Sequence, residues 1–180
     1  MTCIVALETP RGVWMGADRA ASWTDTTMTM GVPKIYSNGP AIIADCGDFR
    51  TGQLLQYALD IPVHTLGWDV DRWVAIDLMA AIRTALGEHG WDRKDDGVDS
   101  ATSFLLAIQG RCYEIQSDYS FLRNEAGEYA IGSGSFHALG SLHTSRGWKP
   151  KDRIHAALEA AAEHVTSVAG PFDIARQPKG

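Results

Sequence analysis

Three residues near the start of the chain, Thr2, Asp18 and Lys34, have the types and the regular spacing of a catalytic set. A threonine hydroxyl is a poor nucleophile unless a base lies beside it. Met1 is followed by a small residue, which favours its removal, and Thr2 would then carry a free α-amine. Such an amine has an ordinary pKa of about 8, so much of it is neutral at physiological pH and can take the hydroxyl proton. One residue would then supply both nucleophile and base.

Asp18 and Lys34 have the chemistry to tune that pair. A lysine beside the amine disfavours a second positive charge, which lowers the pKa of the amine, and its ammonium stabilises the alkoxide as it forms. An aspartate next to the lysine would hold the ammonium in place. Asp18 ends the strand that is predicted to pair with the strand after Thr2, so a hairpin returns it to the N-terminus. The alternative from these residues alone is an ordinary strand threonine and a solvated Asp18–Lys34 pair.

Composition and charge exclude several classes of protein. The 180 residues are enough for one domain over 1–180 with a sizeable core. The formal charge of −6 argues against nucleic acid as a partner, because nucleic-acid binders usually carry a basic patch. No apolar run is long enough to span a membrane, and no secretory segment opens the chain. The sparse cysteines Cys3, Cys46 and Cys112 predict reduced thiols in a cytoplasmic location, and no pair has the spacing of zinc ligands. No metal and no cofactor are expected.

The predicted elements run as strands, two helices, strands and two helices. Strands are predicted over 3–8, 13–18, 34–36, 41–46, 103–108, 112–117, 129–131 and 172–174. Helices are predicted over about 48–61, 69–89, 135–142 and 151–167, with Asp48 as the cap of the first; residues 19–31 show no clear period, and 88–100 is a charged loop. This segregated order favours an α+β fold, a four-layer αββα sandwich of two antiparallel sheets flanked by helix pairs.

Two other clusters have ordinary interpretations. The first cluster is acidic and consists of Asp92, Asp95, Asp96 and Asp99. Lys94 occupies the position where a calcium-binding loop needs an acid or amide, so a solvated loop is predicted instead of a calcium site. Tryptophans near the second helix are expected in the core or at a subunit interface, and these are Trp68, Trp73 and Trp91.

The opening strand Thr2-Cys3-Ile4-Val5-Ala6, with Asp18 and Lys34 at matching positions, resembles the N-terminal threonine hydrolases of the proteasome β-subunit superfamily. Within that superfamily it is most similar to the bacterial HslV-type subunits. Residues 43–48 resemble the segment that enters the first helix, and 131–135 resemble a Gly-Ser-Gly turn near the nucleophile. The resemblance covers roughly residues 2–175.

The resemblance implies a full set of catalytic residues. It makes Thr2 the nucleophile, with Asp18 and Lys34 in the tuning roles described above. It also implies a backbone N–H that binds the oxyanion. Gly47 is the expected donor, with the N–H of Asp45 or Cys46 as alternatives, because this segment is one residue shorter than in the family. Ser133 is expected near the nucleophile, where it either hydrogen-bonds the Thr2 amine or caps the following helix.

The resemblance also has implications for the substrate and for the residues that brace the nucleophile. Ala21, Val32 and Cys46 match positions that line the primary specificity pocket, and these small or apolar residues imply apolar side chains in the substrate. In the proteasome branch an aspartate and a serine brace the nucleophile from the loop after the last helix. The matching stretch, 166–170, is expected to keep neither.

The implied function is peptide-bond hydrolysis by a subunit of a self-compartmentalised ring. Its partners would be polypeptide substrates, further copies of the chain in a homo-oligomeric ring, and an ATPase unfoldase; no nucleic acid or membrane partner is expected. One alternative is an amidohydrolase of the same N-terminal-nucleophile type acting on a small amide, for which spacing favours Thr2 over Cys3. Another is an inactive, ring-forming scaffold subunit.

Overall fold

The computed structural model describes residues 2–23, 25–91, 93–95, 98–100 and 102–179. The expected removal of Met1 and the acidic side chains of 92–99 lie outside the described part. Within it, no helix is long and apolar enough to cross a membrane.

The described strands alternate with five α-helical segments. The strands are β1 Cys3–Thr9, β2 Gly12–Asp18, β3 Ala20–Ser22, β4 Thr27–Thr29, β5 Ile35–Asn38, β6 Ala41–Asp45, β7 Arg93–Asp95, β8 Val98–Ser100, β9 Phe104–Ile108, β10 Arg111–Ile115, β11 Phe121–Leu122, β12 Glu128–Gly132 and β13 Phe172–Pro178. The helices are α1 Phe49–Tyr57, α2 Val70–Trp73, α3 Met79–Glu88, α4 Ser135–Thr144 and α5 Pro150–His164, and a π-helical segment, Val74–Leu78, joins α2 to α3.

Two antiparallel sheets form the centre of the molecule. The first sheet has the order β12-β1-β2-β13, and the second has the order β11-β10-β9-β6-β5. Two short hairpins, β3–β4 and β7–β8, stand apart from these sheets. Strand β1 is central in the first sheet, since it pairs with β2 on one side and with β12 on the other.

Three apolar cores separate four layers. Side chains of β1 alternate between two cores: Cys3 and Val5 pack against α4 and α5, whereas Ile4 and Ala6 face the second sheet. The third core lies between the second sheet and the helices α1 to α3, and it encloses Trp73. The helices therefore cover the two outer faces of the paired sheets. The predicted α+β, four-layer αββα fold is confirmed.

Most predicted elements are confirmed within a few residues. The first helix begins after Asp48, whose side chain accepts a hydrogen bond from the Thr51 N–H as the predicted cap. Trp73 is buried, and Trp68 and Trp91 pack against the same core, as predicted.

Three segments differ from the prediction. Residues 88–100, expected as a loop, contain the β7–β8 hairpin. The hairpin β3–β4 lies in 19–31, where one strand is exposed and the other consists of small residues, so neither shows a strong apolar alternation. Strand β13 is seven residues long instead of three. It is an edge strand with mixed polar and apolar residues, which weakens the pattern that predicts strands.

Gly16 in β2 permits the close packing of α5 on the first sheet. A Cβ at Gly16 would lie 2.3 Å from Ile154 Cγ2 and 3.0 Å from Leu158 Cδ1. We expect Gly16→Ala to lower the free energy of unfolding by about 1–3 kcal/mol, because the helix must move away from the sheet. Chemical denaturation at a fixed protein concentration measures this change.

Gly87 in α3 provides the matched control. A Cβ there would meet no atom within 4 Å, so Gly87→Ala should raise the free energy of unfolding by about 0.5–1 kcal/mol. Equal effects of the two substitutions would contradict the packing account of Gly16.

Candidate active site

The structure brings Thr2, Asp18 and Lys34 together in one buried group. Lys34 Nζ donates hydrogen bonds to Thr2 Oγ1 at 3.0 Å and to Asp18 Oδ1 at 2.9 Å. All three side chains belong to residues that are at most 8% exposed. The threonine hydroxyl therefore sits next to an ammonium that is already held by a carboxylate.

Strand pairing explains how distant residues meet here. Thr2 immediately precedes β1, and Asp18 ends β2, the neighbouring strand of the same hairpin. Lys34 immediately precedes β5 in the second sheet. The site therefore lies where the ends of strands from both sheets come together.

Asp18 is fully buried, and its carboxylate is well satisfied. Oδ1 accepts hydrogen bonds from the Cys3 N–H at 2.9 Å and from Lys34, and Oδ2 accepts one from the Ala20 N–H at 3.0 Å. Burying a charge is costly unless it is paired and hydrogen-bonded. These contacts offset that cost and fix the direction in which Lys34 points.

The turn 132–134 holds the backbone of Thr2. Gly132 has a φ of +89°, and a Cβ at this position would lie 2.2 Å from the Thr2 carbonyl oxygen. Glycine satisfies both constraints, because it tolerates positive φ and has no Cβ. Ser133 Oγ donates to the same Thr2 carbonyl at 3.3 Å.

Neither expected contact of Ser133 is the one observed. Its hydroxyl binds the carbonyl of Thr2, and the residue that caps α4 is Gly134, with no side-chain hydrogen bond. A contact with the α-amine that Met1 removal would free stays a prediction. Ser133 Oγ also lies 3.2 Å from Ser167 Oγ.

Ser167 corrects the expectation that 166–170 contributes no bracing serine. It is buried, and its hydroxyl supports Ser133, which in turn contacts Thr2. The Arg19–Asp173 ion pair, with distances of 2.6 and 2.8 Å, ties β13 to the residue after Asp18. The only sequence signal for Ser167 was a serine shortly after a helix, which is equally typical of exposed loops.

Cys3 does not have the environment of a nucleophile. It is fully buried in the core beneath α4 and α5. Burial, reinforced by the nearby Asp18 charge, raises the pKa of the thiol to about 12, although Lys34 opposes that rise. Because the thiolate is the reactive form, the geometry favours Thr2 as the nucleophile.

Gly47 lies beside Thr2 on the rim of the same pocket. Within the described ranges, its N–H has no hydrogen-bond partner. Of the alternative donors, the Cys46 N–H already donates to the Ser103 carbonyl at 3.5 Å. Gly47 therefore stays the expected oxyanion donor.

A pocket of about 390 Å³ opens next to Thr2. Ala21 and Val32 line it, as expected. Much of the remaining lining is apolar, from Trp23, Met28, Met30, Pro33, Phe49 and Tyr57. A second cavity, of about 190 Å³, also borders Thr2.

Cys46 is absent from the residues that line this pocket, and its role in substrate binding stays a prediction. Successive residues of a strand point to opposite faces of the sheet. Ala44 and Cys46 face the first sheet, where the Cys46 thiol donates to the Ser103 carbonyl, with Sγ 3.6 Å from the oxygen. Asp45 lies on the other face and lines the pocket in its place.

The sequence also did not predict that the side chain of Asp45 lines the pocket. Burial, followed by repulsion from Asp48, raises the pKa of its carboxyl to about 7, although Lys34 and Tyr36 oppose the rise. Burial raises the pKa of the Tyr36 hydroxyl well above its ordinary value, and the nearby Asp45 carboxylate raises it further. The distance and angles between these two groups do not make a hydrogen bond.

No group of three or more histidine, cysteine, aspartate or glutamate side chains in the described residues could hold a metal ion.

Comparison with known proteins shows which fold carries this site. No protein-family model matches the sequence, and no curated protein matches it. Among solved structures, Thiobacillus denitrificans BPH in complex with epoxomicin has a TM-score of 0.81 at 17% identity, with 99% of each chain covered.

Two further structures extend the likeness. Eukaryotic HslV from Trypanosoma brucei has a TM-score of 0.69 at 15% identity, covering 97% of this chain and 98% of that one. Anbu, an ancestral beta-subunit, from Yersinia bercovieri has a TM-score of 0.68 at 16% identity, covering 98% and 81%. These likenesses show that the chain shares the fold of HslV and of the Anbu beta-subunit.

The buried carboxyl of Asp45 predicts a pH-dependent stability. Folding raises the pKa of this carboxyl, so between pH 4 and 7 the folded state binds more protons than the unfolded state. The contribution of this group to the stability of the folded state is therefore lost as the pH rises through about 7. We expect Asp45→Asn to raise the free energy of unfolding by about 2 kcal/mol at pH 8 and by much less at pH 4. Urea denaturation at both pH values measures the difference. A gain that is equal at both would contradict the raised pKa.

Proposed function

We propose that this chain, which has the proteasome β-subunit fold, is an N-terminal threonine peptidase with Thr2 as its nucleophile. The observation that carries the proposal is the pair of contacts made by Lys34 Nζ, 3.0 Å from Thr2 Oγ1 and 2.9 Å from Asp18 Oδ1. This group is buried beside a pocket large enough for a substrate side chain. A solvated surface pair, the alternative from the sequence, would be exposed.

The reaction begins once Met1 is removed and the α-amine of Thr2 is free. The amine takes the hydroxyl proton as Oγ1 attacks the carbonyl carbon of the substrate. The Lys34 ammonium stabilises the charge that develops on Oγ1, and it also lowers the pKa of the amine, so that the amine stays available as a base. The N–H of Gly47 binds the oxyanion, a contact typically worth about 3 kcal/mol.

Collapse of the tetrahedral intermediate completes the first half of the reaction. The C–N bond breaks, and the protonated α-amine gives its proton to the leaving amine. The acyl group is then an ester on Thr2 Oγ1. Water, deprotonated by the same α-amine, hydrolyses the ester and restores the hydroxyl.

Two residues act by positioning. Asp18 holds the Lys34 ammonium through a 2.9 Å contact. Ser133, supported by Ser167, fixes the Thr2 carbonyl and so the direction of its side chain.

The proposal extends to assembly. Several large apolar side chains are almost fully exposed in the isolated chain, including Leu66 (99%), Val63 (91%) and Phe136 (86%). Such surfaces are typical of contacts with other protein molecules. They support contacts between copies of the chain, and we propose that these contacts close a homo-oligomeric ring around the sites. An ATPase unfoldase as a partner, polypeptide substrates and a cytoplasmic location are proposed from the family resemblance alone.

The first test uses intact mass. The purified protein should lack Met1 and should gain the mass of a covalent epoxomicin adduct, since epoxomicin is the ligand in the Thiobacillus denitrificans structure. Thr2→Ala should also lose Met1, because alanine is small, but should form no adduct. Retention of Met1 in the assembled wild-type protein, or an adduct on the Thr2→Ala variant, would contradict the proposal.

A second test removes the ammonium but keeps its aliphatic stem. We expect Lys34→Met to lower kcat/KM for fluorogenic peptides by about 10²–10⁴-fold, because proton transfer and charge stabilisation are both weakened. Lys151→Met, an exposed lysine of α5, is the matched control and should leave the rate unchanged. Circular dichroism verifies that both variants fold. An unchanged rate in a folded Lys34→Met variant would contradict the mechanism.

A further inference from the structure

The pocket beside Thr2 contains a carboxylate in an otherwise largely apolar lining. Asp45 is the last residue of β6, and strand alternation directs it away from the first sheet and towards α1. Long apolar side chains, including Met28, Met30 and Val32, supply much of the remaining surface. The pocket therefore combines surfaces for an aliphatic chain with one group that prefers a positive charge.

Gly52 of α1 leaves the space that this carboxylate occupies. A Cβ at Gly52 would lie 2.3 Å from Asp45 Oδ1 and 3.2 Å from Oδ2. Any larger residue at this position would displace the carboxylate. The helix is thus compatible with an aspartate at position 45 only because it has a glycine opposite.

Tyr36 adds a second polar group that lacks a partner. It lines the same pocket from β5, and its hydroxyl is buried. In the part of the chain that the structure describes, the hydroxyl has no hydrogen-bond partner. The hydroxyl lies close to the Asp45 carboxyl, and of these two groups the carboxyl is the one that a ligand can reach from the pocket.

The balance of charge around the pocket favours a cation. Lys34 is the only cation among the described lining residues, and it is already paired with Asp18. Asp45 itself has no ion-pair partner in the described ranges. A ligand with a positive charge would therefore be neutralised by Asp45 without breaking an existing pair.

We propose that this pocket selects substrates with a lysine or arginine side chain at the residue whose carbonyl Thr2 attacks. The aliphatic stem of that side chain packs on the apolar lining, and its charged end donates hydrogen bonds to the Asp45 carboxylate. This substrate class replaces the apolar one expected from Ala21, Val32 and Cys46. The inference rests on the proposed peptidase function.

Selection of this kind depends on pH. The pKa of the Asp45 carboxyl is about 7, and its titratable neighbours are Asp48, Lys34, Tyr36 and Cys46. The carboxyl becomes ionised as pH rises through this value, so the preference for a cation should strengthen over the same range. Because kcat/KM reports the free enzyme, the preference should rise about tenfold between pH 6 and pH 8.

The experiment compares two peptides that differ only in charge. Fluorogenic amides with lysine or norleucine before the scissile bond share the same aliphatic stem, and norleucine lacks the ammonium. The ratio of their kcat/KM values cancels the titration of the Thr2 amine, which both share. We expect lysine to be preferred at least about tenfold at pH 8, since leaving a buried charge unpaired is strongly unfavourable.

Variants test the role of each group. Asp45→Asn should reduce the ratio at least about tenfold and abolish its dependence on pH. Asp48→Asn is the matched control, because Asp48 caps α1 without lining the pocket and asparagine keeps the cap. It should preserve the preference for lysine. A ratio of one or less in the wild type, or an unchanged ratio in Asp45→Asn, would overturn the proposal.

A binding measurement separates failure of the pocket from failure of the chemistry. In the Thr2→Ala variant, fluorescence anisotropy of the lysine and norleucine peptides at pH 8 measures selection without turnover. Tighter binding of lysine with no hydrolysis by the wild type would reject the peptidase and support the pocket. Hydrolysis by the wild type with equal or undetectable binding of both peptides would reject the pocket and support the peptidase.

Discussion

The buried ion pair between Lys34 and Asp18 is the constraint on which the rest of the site depends. A charged pair in the interior is tolerated only when its hydrogen-bonding capacity is filled. Here the N–H groups of Cys3 and Ala20 complete the shell of Asp18, and the Thr2 hydroxyl accepts from Lys34. These contacts require the ends of β1 and β2 to stay in register and the start of β5 to lie against them. The two-sheet sandwich meets that requirement.

Two aspartates in the same region have opposite environments. Asp18 accepts three hydrogen bonds and is saturated by the protein, so its charge serves to orient Lys34. Asp45 lies beside a pocket, and its carboxyl has a raised pKa because burial is not compensated in the same way. An uncompensated carboxyl lowers the stability of the folded protein at neutral pH, and such groups concentrate where a ligand completes the site. The contrast separates a carboxylate that supports chemistry from one that is available for recognition.

The sequence predicted what depends on local spacing. The hairpin β1–β2 is short, so the return of Asp18 to Thr2 followed from two apolar runs and one turn. The layered fold followed from segregated strands and helices. The spacing did not predict which residue lines the pocket. Asp45 and Cys46 are adjacent in the chain, and adjacent residues of a strand point to opposite faces of the sheet. Only packing against α1 decides which of them reaches the pocket. Ser167 was missed because the burial of a serine after a helix depends on the contact with Ser133.

The central claim is that a free α-amine on Thr2 acts as the base and that Lys34 tunes it. A direct measurement is an NMR titration of the mature protein labelled with ¹⁵N-threonine, which follows the terminal amine of Thr2. The account predicts a terminal amine whose pKa lies below the ordinary value of about 8, and a higher pKa in Lys34→Met. The absence of a free threonine amine, or a pKa that Lys34→Met leaves unchanged, would contradict it.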